Sequence, residues 1–324
     1  MPTGVLLPEG RDDVVEFAQQ VESVGYDRLW ATELWGRDGF VALTRAGETT
    51  DDLDLGTAIV NIYGRSPATL AQAAATLDGG VDTDVILGLG TSTKKAIEDL
   101  HGVPFDQPAR RLHETVELTK EFLTAEGRVN YEGELYDVAD FPSLGADVPV
   151  YSAALGPANR RATGRTADGW LPHNIPFENL SDAFETIART AEETDRDPDD
   201  IDVAPYVPSA VSDDADAAID AVKGHLAYYV GSGEGYRRAV GEMFPEEADA
   251  VAEAWRDGDR GAARDAVTEE MVKALGVAGT PEDARDQLDE VAAIDVIDEP
   301  IVVTPAGMDE EMATRTITEL GPAQ

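Results

Sequence analysis

The chain has 324 residues, 42% of them hydrophobic, which supports a sizeable core and fits one large α/β barrel or two medium domains. It carries 65 acidic against 25 basic residues, a net charge of −40, and no cysteine. Disulfides, thiolate catalysis and cysteine-based metal centres are excluded, nothing resembles the basic stripe of a nucleic-acid binder, and no apolar run reaches the roughly 18–20 residues that span a bilayer. The N-terminus opens with Val5-Leu6-Leu7 and turns acidic at Glu9, so no signal peptide is visible and a cytoplasmic protein is expected. The acids are spread along every segment. That favours a haloadapted surface, in which carboxylates hold water and ions, over an acidic docking face for a cationic partner. In about 1 M salt the Debye length is ~3 Å, so the self-repulsion is screened.

In chain order, Gly4–Leu7 reads as a first strand, and Asp12–Val24 as a helix with Val14, Val15, Ala18, Val21 and Val24 on one face, stopped by Gly25. Arg28–Ala31 is a second strand, with a helix opening over Phe40–Ala46. Leu55–Val60 is a third strand. Ser66-Pro67, an N-cap followed by proline at the first helical position, opens a helix over Ala68–Leu77. Val85–Leu89, Val148–Ser152, Gly169–Leu171, Ile201–Val211 and Ile301–Val303 complete eight strands. Helices over Arg110–Leu123, Asn159–Thr166, Leu180–Glu193, Asp213–Val230 and Asp309–Leu320 follow them. Eight strand–helix units and no early GxGxxG predict an α/β chain folded as a closed (β/α)8 TIM barrel rather than an open doubly wound sheet. Two insertions interrupt the repeat: a small hairpin within residues 127–144, and extra helices over 234–275. No linker rich in Pro, Gly or Ser appears, so one domain over residues 1–324 is expected.

Ligands of such barrels sit at the C-terminal ends of the strands. Two loops there suit phosphate. Leu155-Gly156-Pro157-Ala158-Asn159-Arg160 is a glycine turn opening a helix, whose free N–H groups attract anions. Gly90-Thr91-Ser92-Thr93 adds hydroxyl donors, although Gly88-Leu89-Gly90 lacks the third glycine of a dinucleotide fingerprint. Either loop alone is equally readable as an ordinary βα turn. Trp35, Tyr63 and Trp170 suit ring stacking or plain packing. The four histidines are scattered, and His113-Glu114 lacks the second histidine of a zinc-protease helix, so no metal site is expected. Neither a GxSxG elbow nor a P-loop lysine is present.

The chain resembles the luciferase-like superfamily of flavin and deazaflavin barrel enzymes. It is most similar to the branch of coenzyme F420-dependent methylenetetrahydromethanopterin reductases. The resemblance runs through Ala18–Tyr26, Leu29-Trp30-Ala31-Thr32-Glu33, Leu55-Gly56, Asn61-Ile62-Tyr63-Gly64-Arg65-Ser66-Pro67, Ala75–Asp78 and Gly88-Leu89-Gly90. It continues through Pro149-Val150-Tyr151, Gly156-Pro157, Ala167-Asp168-Gly169-Trp170, Ile201–Ala204 and Val277–Pro281. It implies a non-prolyl cis peptide at Ala58–Ile59, behind a bound deazaflavin ring. It also implies cofactor contacts from Glu33, Ala58, Ile59, Val60, Asn61, Gly90, Thr91, Ala154, Leu155, Gly156 and Pro157. The Gly156 turn would hold part of the cofactor tail. Dimers or higher homo-oligomers, up to a tetramer, are a further implication.

Close relatives carry a glutamate where this chain has Leu6, Asp-His where it has Glu33-Leu34, and an acid where it has Thr93. Glu33 is the acid that persists in kind, and is read as a catalytic proton donor or polar anchor. His173 and Tyr206 face the substrate, or else occupy core or solvent positions. The resulting expectation is an F420-dependent oxidoreductase that moves a hydride between reduced deazaflavin and a methylene-tetrahydropterin or similar small electrophile, with no nucleic-acid or membrane partner. The alternatives are an FMN-dependent monooxygenase and a non-catalytic cofactor-binding barrel.

Overall fold

The computed structural model describes residues 1–322. Its strands are β1 (Gly4–Leu6), β2 (Arg28–Ala31), β3 (Asp54–Thr57), β4 (Val60–Asn61), β5 (Val85–Gly90), β6 (Arg128–Glu132), β7 (Asp137–Pro142), β8 (Val150–Ser152), β9 (Gly169–Trp170), β10 (Asp202–Val203), β11 (Tyr206–Val211), β12 (Val277–Gly279) and β13 (Ile301–Val303). The α-helices are α1 (Val14–Ser23), α2 (Gly39–Gly47), α3 (Pro67–Asp78), α4 (Pro108–Thr124), α5 (Pro157–Thr166), α6 (Leu180–Glu192), α7 (Ala215–Ser232), α8 (Glu234–Gly241), α9 (Pro245–Arg256), α10 (Arg260–Asp265), α11 (Glu269–Leu275), α12 (Pro281–Ala292) and α13 (Glu310–Leu320).

Except for the β6–β7 hairpin, every pairing is parallel, in the order β10-β9-β8-β5-β3-β2-β1-β13-β11-β12, with β4 also on β5. Closure runs through residues 202–208. Val203 pairs with Trp170 on one side, and Tyr206 pairs with Ile301 on the other. Between them the amides of Ala204 and Tyr206 donate to the carbonyls of Trp170 and Pro172. The single strand expected over 201–211 is therefore two pieces. Pro205 has no N–H to donate, so the ladder breaks there although the chain stays extended. The barrel is closed, as eight strand–helix units require.

Inside the barrel, bulk on one strand is matched by glycine on the next. Trp30 is fully buried, and a Cβ at Gly4 or Gly56, on the strands either side of it, would come within 2.5 Å of its ring. Tyr151 spreads over Gly169 in the same way. With Ala58, Ile86, Leu171, Ala204, Tyr206, Ile301 and Val303 these side chains fill the interior, so the barrel is a packed core and not a pore. The helices pack outside on the opposite faces of the strands.

Residues 128–142 form the hairpin, and residues 234–275 form four helices, α8–α11, that share an apolar cluster with α7 through Val222, Leu226, Val251 and Met271. One strand was not expected. β12 runs beside the far half of β11, pairing Ser209 with Val277 and Val211 with Gly279. Three residues are too few for a period-two pattern to show. Capping follows the sequence: Ser66 Oγ accepts from the Thr69 amide at 3.2 Å, with Pro67 opening α3.

Candidate active site

The third strand breaks where the resemblance locates its bulge. Register runs from Gly56–Ile86 to Val60–Leu89, so the β3–β4 side holds one extra residue. The Ala58–Ile59 peptide at this point is cis. The surrounding groups account for the backbone polar atoms. Ala58 N donates to Ala31 O at 2.7 Å, and Glu33 N to Ile59 O at 3.2 Å. Thr57 Oγ1 donates to Gly88 O at 2.9 Å and accepts from Gly88 N at 2.8 Å, standing in for the ladder. Residue 88 has to be glycine, since a Cβ there would lie 1.9 Å from Thr57 O. From across the barrel the Tyr206 hydroxyl donates to Ala58 O.

Ile59, Gly90 and Ala153 meet here: a Cβ at Gly90 would be 2.9 Å from the Ile59 side chain and 3.3 Å from that of Ala153. Of the residues carried over from the resemblance, Ile59, Thr91, Leu155, Gly156, Pro157 and Glu33 keep exposed surface, while Ala58, Val60, Asn61, Gly90 and Ala154 are buried. The Asn61 side chain is committed to the turn before α3. Its Oδ1 accepts from the amides of Tyr63 and Gly64 at 3.0 and 2.7 Å, and its Nδ2 meets His101 Nε2 at 3.0 Å.

Glu33 is committed as well. Arg65 donates to both its oxygens, at 2.5 and 2.8 Å, and the Gly39 amide at the start of α2 donates at 2.8 Å. Arg65 also reaches Asp38 at 2.6 Å, and its pKa is raised, chiefly by the bonds to Glu33. A carboxylate so held ties Arg65 and the start of α2 together in the β2–α2 loop.

The two residues read as substrate-facing lie in contact. The His173 ring stacks on Tyr206, centroids 4.7 Å apart, and its Nε2 meets His225 Nε2 at 3.2 Å. Tyr229 and Tyr236 approach His173 edge-on at 4.4 and 5.5 Å. Burial holds His173 well below the ordinary histidine range and lowers His225 to about 4, so both rings are neutral near pH 7. It also raises Tyr206 and brings Tyr236 to about 12. His225, Tyr229 and Arg65 escaped the sequence reading. The spacing of four between His225 and Tyr229 on one helix face was a usable signal, but nothing local points that face at strand six.

The aromatic candidates separate. Trp170 is fully buried, stacked on Phe184 at 6.3 Å with its Nε1 donating to Ala154 O at 2.9 Å, so it packs the wall. Tyr63 stacks on Phe105 at 5.4 Å. Trp35 is 47% exposed at the rim. A cavity of about 450 Å³ opens at the other end of the barrel, lined by Asp78, Asp84, Asp147, Asp202, Asp298 and Glu299. Its acidic wall repels an anionic ligand, and it lies away from the strand ends where barrel chemistry sits. Among the described residues no group of three or more His, Asp or Glu is placed to hold a metal, and no helix is long and apolar enough to cross a membrane.

The molecule is a closed parallel α/β barrel with a glycine-lined bulge and a helix N-terminus at its C-terminal rim. The family model for luciferase-like monooxygenases matches residues 2–296, and the chain belongs to that family. It is 30% identical to a 5,10-methylenetetrahydromethanopterin reductase of Methanopyrus kandleri, over 96% of this chain and 95% of that protein. It is 29% identical to the enzyme of the same name from Methanolobus tindarius, with 94% of each covered. The structure of the coenzyme F420-dependent tetrahydromethanopterin reductase of M. kandleri superposes with a TM-score of 0.83 at 28% identity, over 99% of this chain and 97% of that one.

Proposed function

We propose that this chain is an F420-dependent oxidoreductase that passes a hydride between reduced deazaflavin and a methylene-tetrahydropterin or similar small electrophile. The end-to-end similarity to the methylenetetrahydromethanopterin reductases carries the reading, since it spans both the bulge and the Gly156 turn. Fold alone would not distinguish this activity from others on the same barrel. The residues present fit a flat ring with an anionic tail. Gly90 and the Ile59 bulge leave a low, apolar floor, and the open space at Gly156 gives a backbone approach to the start of α5.

When bound, reduced F420 supplies the hydride. The protein's part is placement. The Tyr206 hydroxyl and the Ala31 and Glu33 backbone hold the bulge that the ring would rest on. The Glu33–Arg65 pair fixes the loop beside it. Such positioning lowers the barrier by fixing approach and excluding water. Leu6, Leu34 and Thr93 bring no carboxylate where the relatives carry polar groups, which leaves the substrate open within this reading.

Turnover tests the reading. In molar salt and without oxygen, reduced F420 mixed with a methylene-tetrahydropterin should be oxidised at a rate proportional to protein concentration. Oxygen-dependent oxidation of a substrate with reduced FMN, and none with F420, would support the monooxygenase alternative instead.

A further inference from the structure

An acceptor of hydride needs a proton as well, and Leu6, Leu34 and Thr93 supply no acid for it. Two imidazoles meet at the mouth of the barrel instead. His173 follows β9 at the C-terminal end of the strand, where barrel chemistry sits. The face of its ring lies on Tyr206, whose hydroxyl is spent on Ala58 O at the bulge. Its Nε2 meets Nε2 of His225, from α7, at 3.2 Å, and Tyr229 and Tyr236 close on its edges. The ring is thus fixed on its face, its edges and one nitrogen. His173 keeps exposed surface, and among the described residues its Nδ1 has no hydrogen bond, so Nδ1 is the atom left for a ligand.

The groups around the pair narrow its chemistry. Tyr206 on β11, Tyr229 on α7 and Tyr236 on α8 pack against His173, and burial raises all three phenols, so they keep their protons near pH 7. Burial lowers both imidazoles, so neither holds a standing charge. A neutral imidazole still passes a proton, because one ring nitrogen takes it as the other releases it. The Nε2–Nε2 contact places one proton between two lone pairs. When His225 carries it, His173 Nε2 accepts and His173 Nδ1 bears the hydrogen. His225 is 7% exposed, which gives water a way to its ring. Asn174 adds an independent sign. It is 3% exposed, at φ 55°, and neither atom of its amide has a partner. An unpaired buried amide calls for a polar group beside it, at the same strand end.

We propose that His173 and His225 form a two-imidazole proton relay to the hydride acceptor, with His173 Nδ1 as the atom that meets it. The proposal rests on the hydride-transfer reading above. For a methylene-tetrahydropterin, the hydride bonds to the methylene carbon while one C–N bond of the bridge breaks. The nitrogen that keeps the bonding pair takes the proton of His173 Nδ1. For a carbonyl acceptor the π pair goes to oxygen, which takes that proton. His173 Nε2 takes the proton of His225 Nε2, and water supplies one to His225 Nδ1. Once product leaves, exchange with water at His173 Nδ1 returns both tautomers to the start. His225 is a positioning residue in this scheme, since it acts through His173.

Turnover with reduced F420 and a methylene-tetrahydropterin is compared in light and heavy water for wild type, His173→Phe, His225→Phe and His225→Gln. His173→Phe keeps a ring on Tyr206 and should lower kcat about 10²- to 10⁴-fold. His225→Gln still donates to His173 Nε2 but passes no proton through. Both His225 variants should therefore lower kcat about 10²-fold, with a solvent isotope effect larger than that of wild type. KM and the affinity for F420 should stay as in wild type, which a packing defect would not leave untouched. Wild-type kcat in His173→Phe or His225→Gln, or losses confined to KM and cofactor affinity, would overturn the relay. Nitrogen NMR of histidine-labelled, cofactor-free protein checks the pair apart from turnover. One proton shared between the two Nε2 atoms is expected, and two separate Nδ1–H tautomers would overturn the proposal. No turnover of F420 by wild type, with the shared proton present, would remove the F420 reading and leave the relay standing.

Discussion

Replacing Glu33 by glutamine separates an anchor from a proton donor. The carboxylate holds three N–H donors, two from Arg65 at 2.5 and 2.8 Å and one from Gly39 at 2.8 Å. Glutamine keeps one acceptor oxygen and turns an NH2 toward a guanidinium that still has Asp38. Charge-assisted bonds contribute about 1.5–3 kcal/mol each. With the Arg65 and Glu33 side chains 20% and 13% exposed, screening reduces that, and a loss of about 2 kcal/mol is expected. Denaturant unfolding in molar salt, run on Glu33→Gln, Arg65→Gln and the double variant, gives the coupling directly. It should exceed ~1 kcal/mol. Activity should fall through cofactor affinity, with the pH profile of turnover unmoved. Coupling near zero, or loss of one limb of the pH profile in Glu33→Gln with cofactor affinity intact, would refute the anchor role.

Gly88→Ala sets a Cβ 1.9 Å from a backbone carbonyl that cannot yield cheaply; it should cost ~3 kcal/mol or more and abolish cofactor binding, checked by melting and titration. Tyr206→Phe leaves the Ala58 carbonyl without its side-chain donor and should cost about 1–2 kcal/mol in unfolding measurements, with weaker ring binding. His225, lowered to about 4 in the fold and near 6.5 when unfolded, binds fewer protons folded than unfolded between those values, so stability should fall by ~3 kcal/mol as pH drops from 6.5 to 4. Denaturant midpoints for wild type and His225→Gln should converge at low pH; parallel curves would exclude that contribution. Dialysis into low salt removes the screening of 65 carboxylates and should cost secondary structure by circular dichroism.

Much of this was legible in the sequence because barrel strands and helices are local. Ser66-Pro67, the glycine after Val24 and the apolar faces of α1 and α6 announce themselves within a turn or two. The bulge was legible through family resemblance alone; nothing in Ala58-Ile59 by itself says that the ladder fails there. What escaped is what the closed barrel brings together. The Tyr206 hydroxyl meets a carbonyl 148 positions away, and His173 meets His225 from 52 positions away. Arg65 lay in plain view within the Asn61–Pro67 anchor, but its pairing with Glu33 depends on how strands two and three lie side by side.

The most direct measurement is a competitive titration of the purified protein with F420 and FMN in molar salt. Saturable binding of F420, tighter than that of FMN, is the predicted result. Tighter binding of FMN, or no binding of F420 at any concentration reached, would contradict a deazaflavin site at the Ile59–Gly90–Gly156 rim.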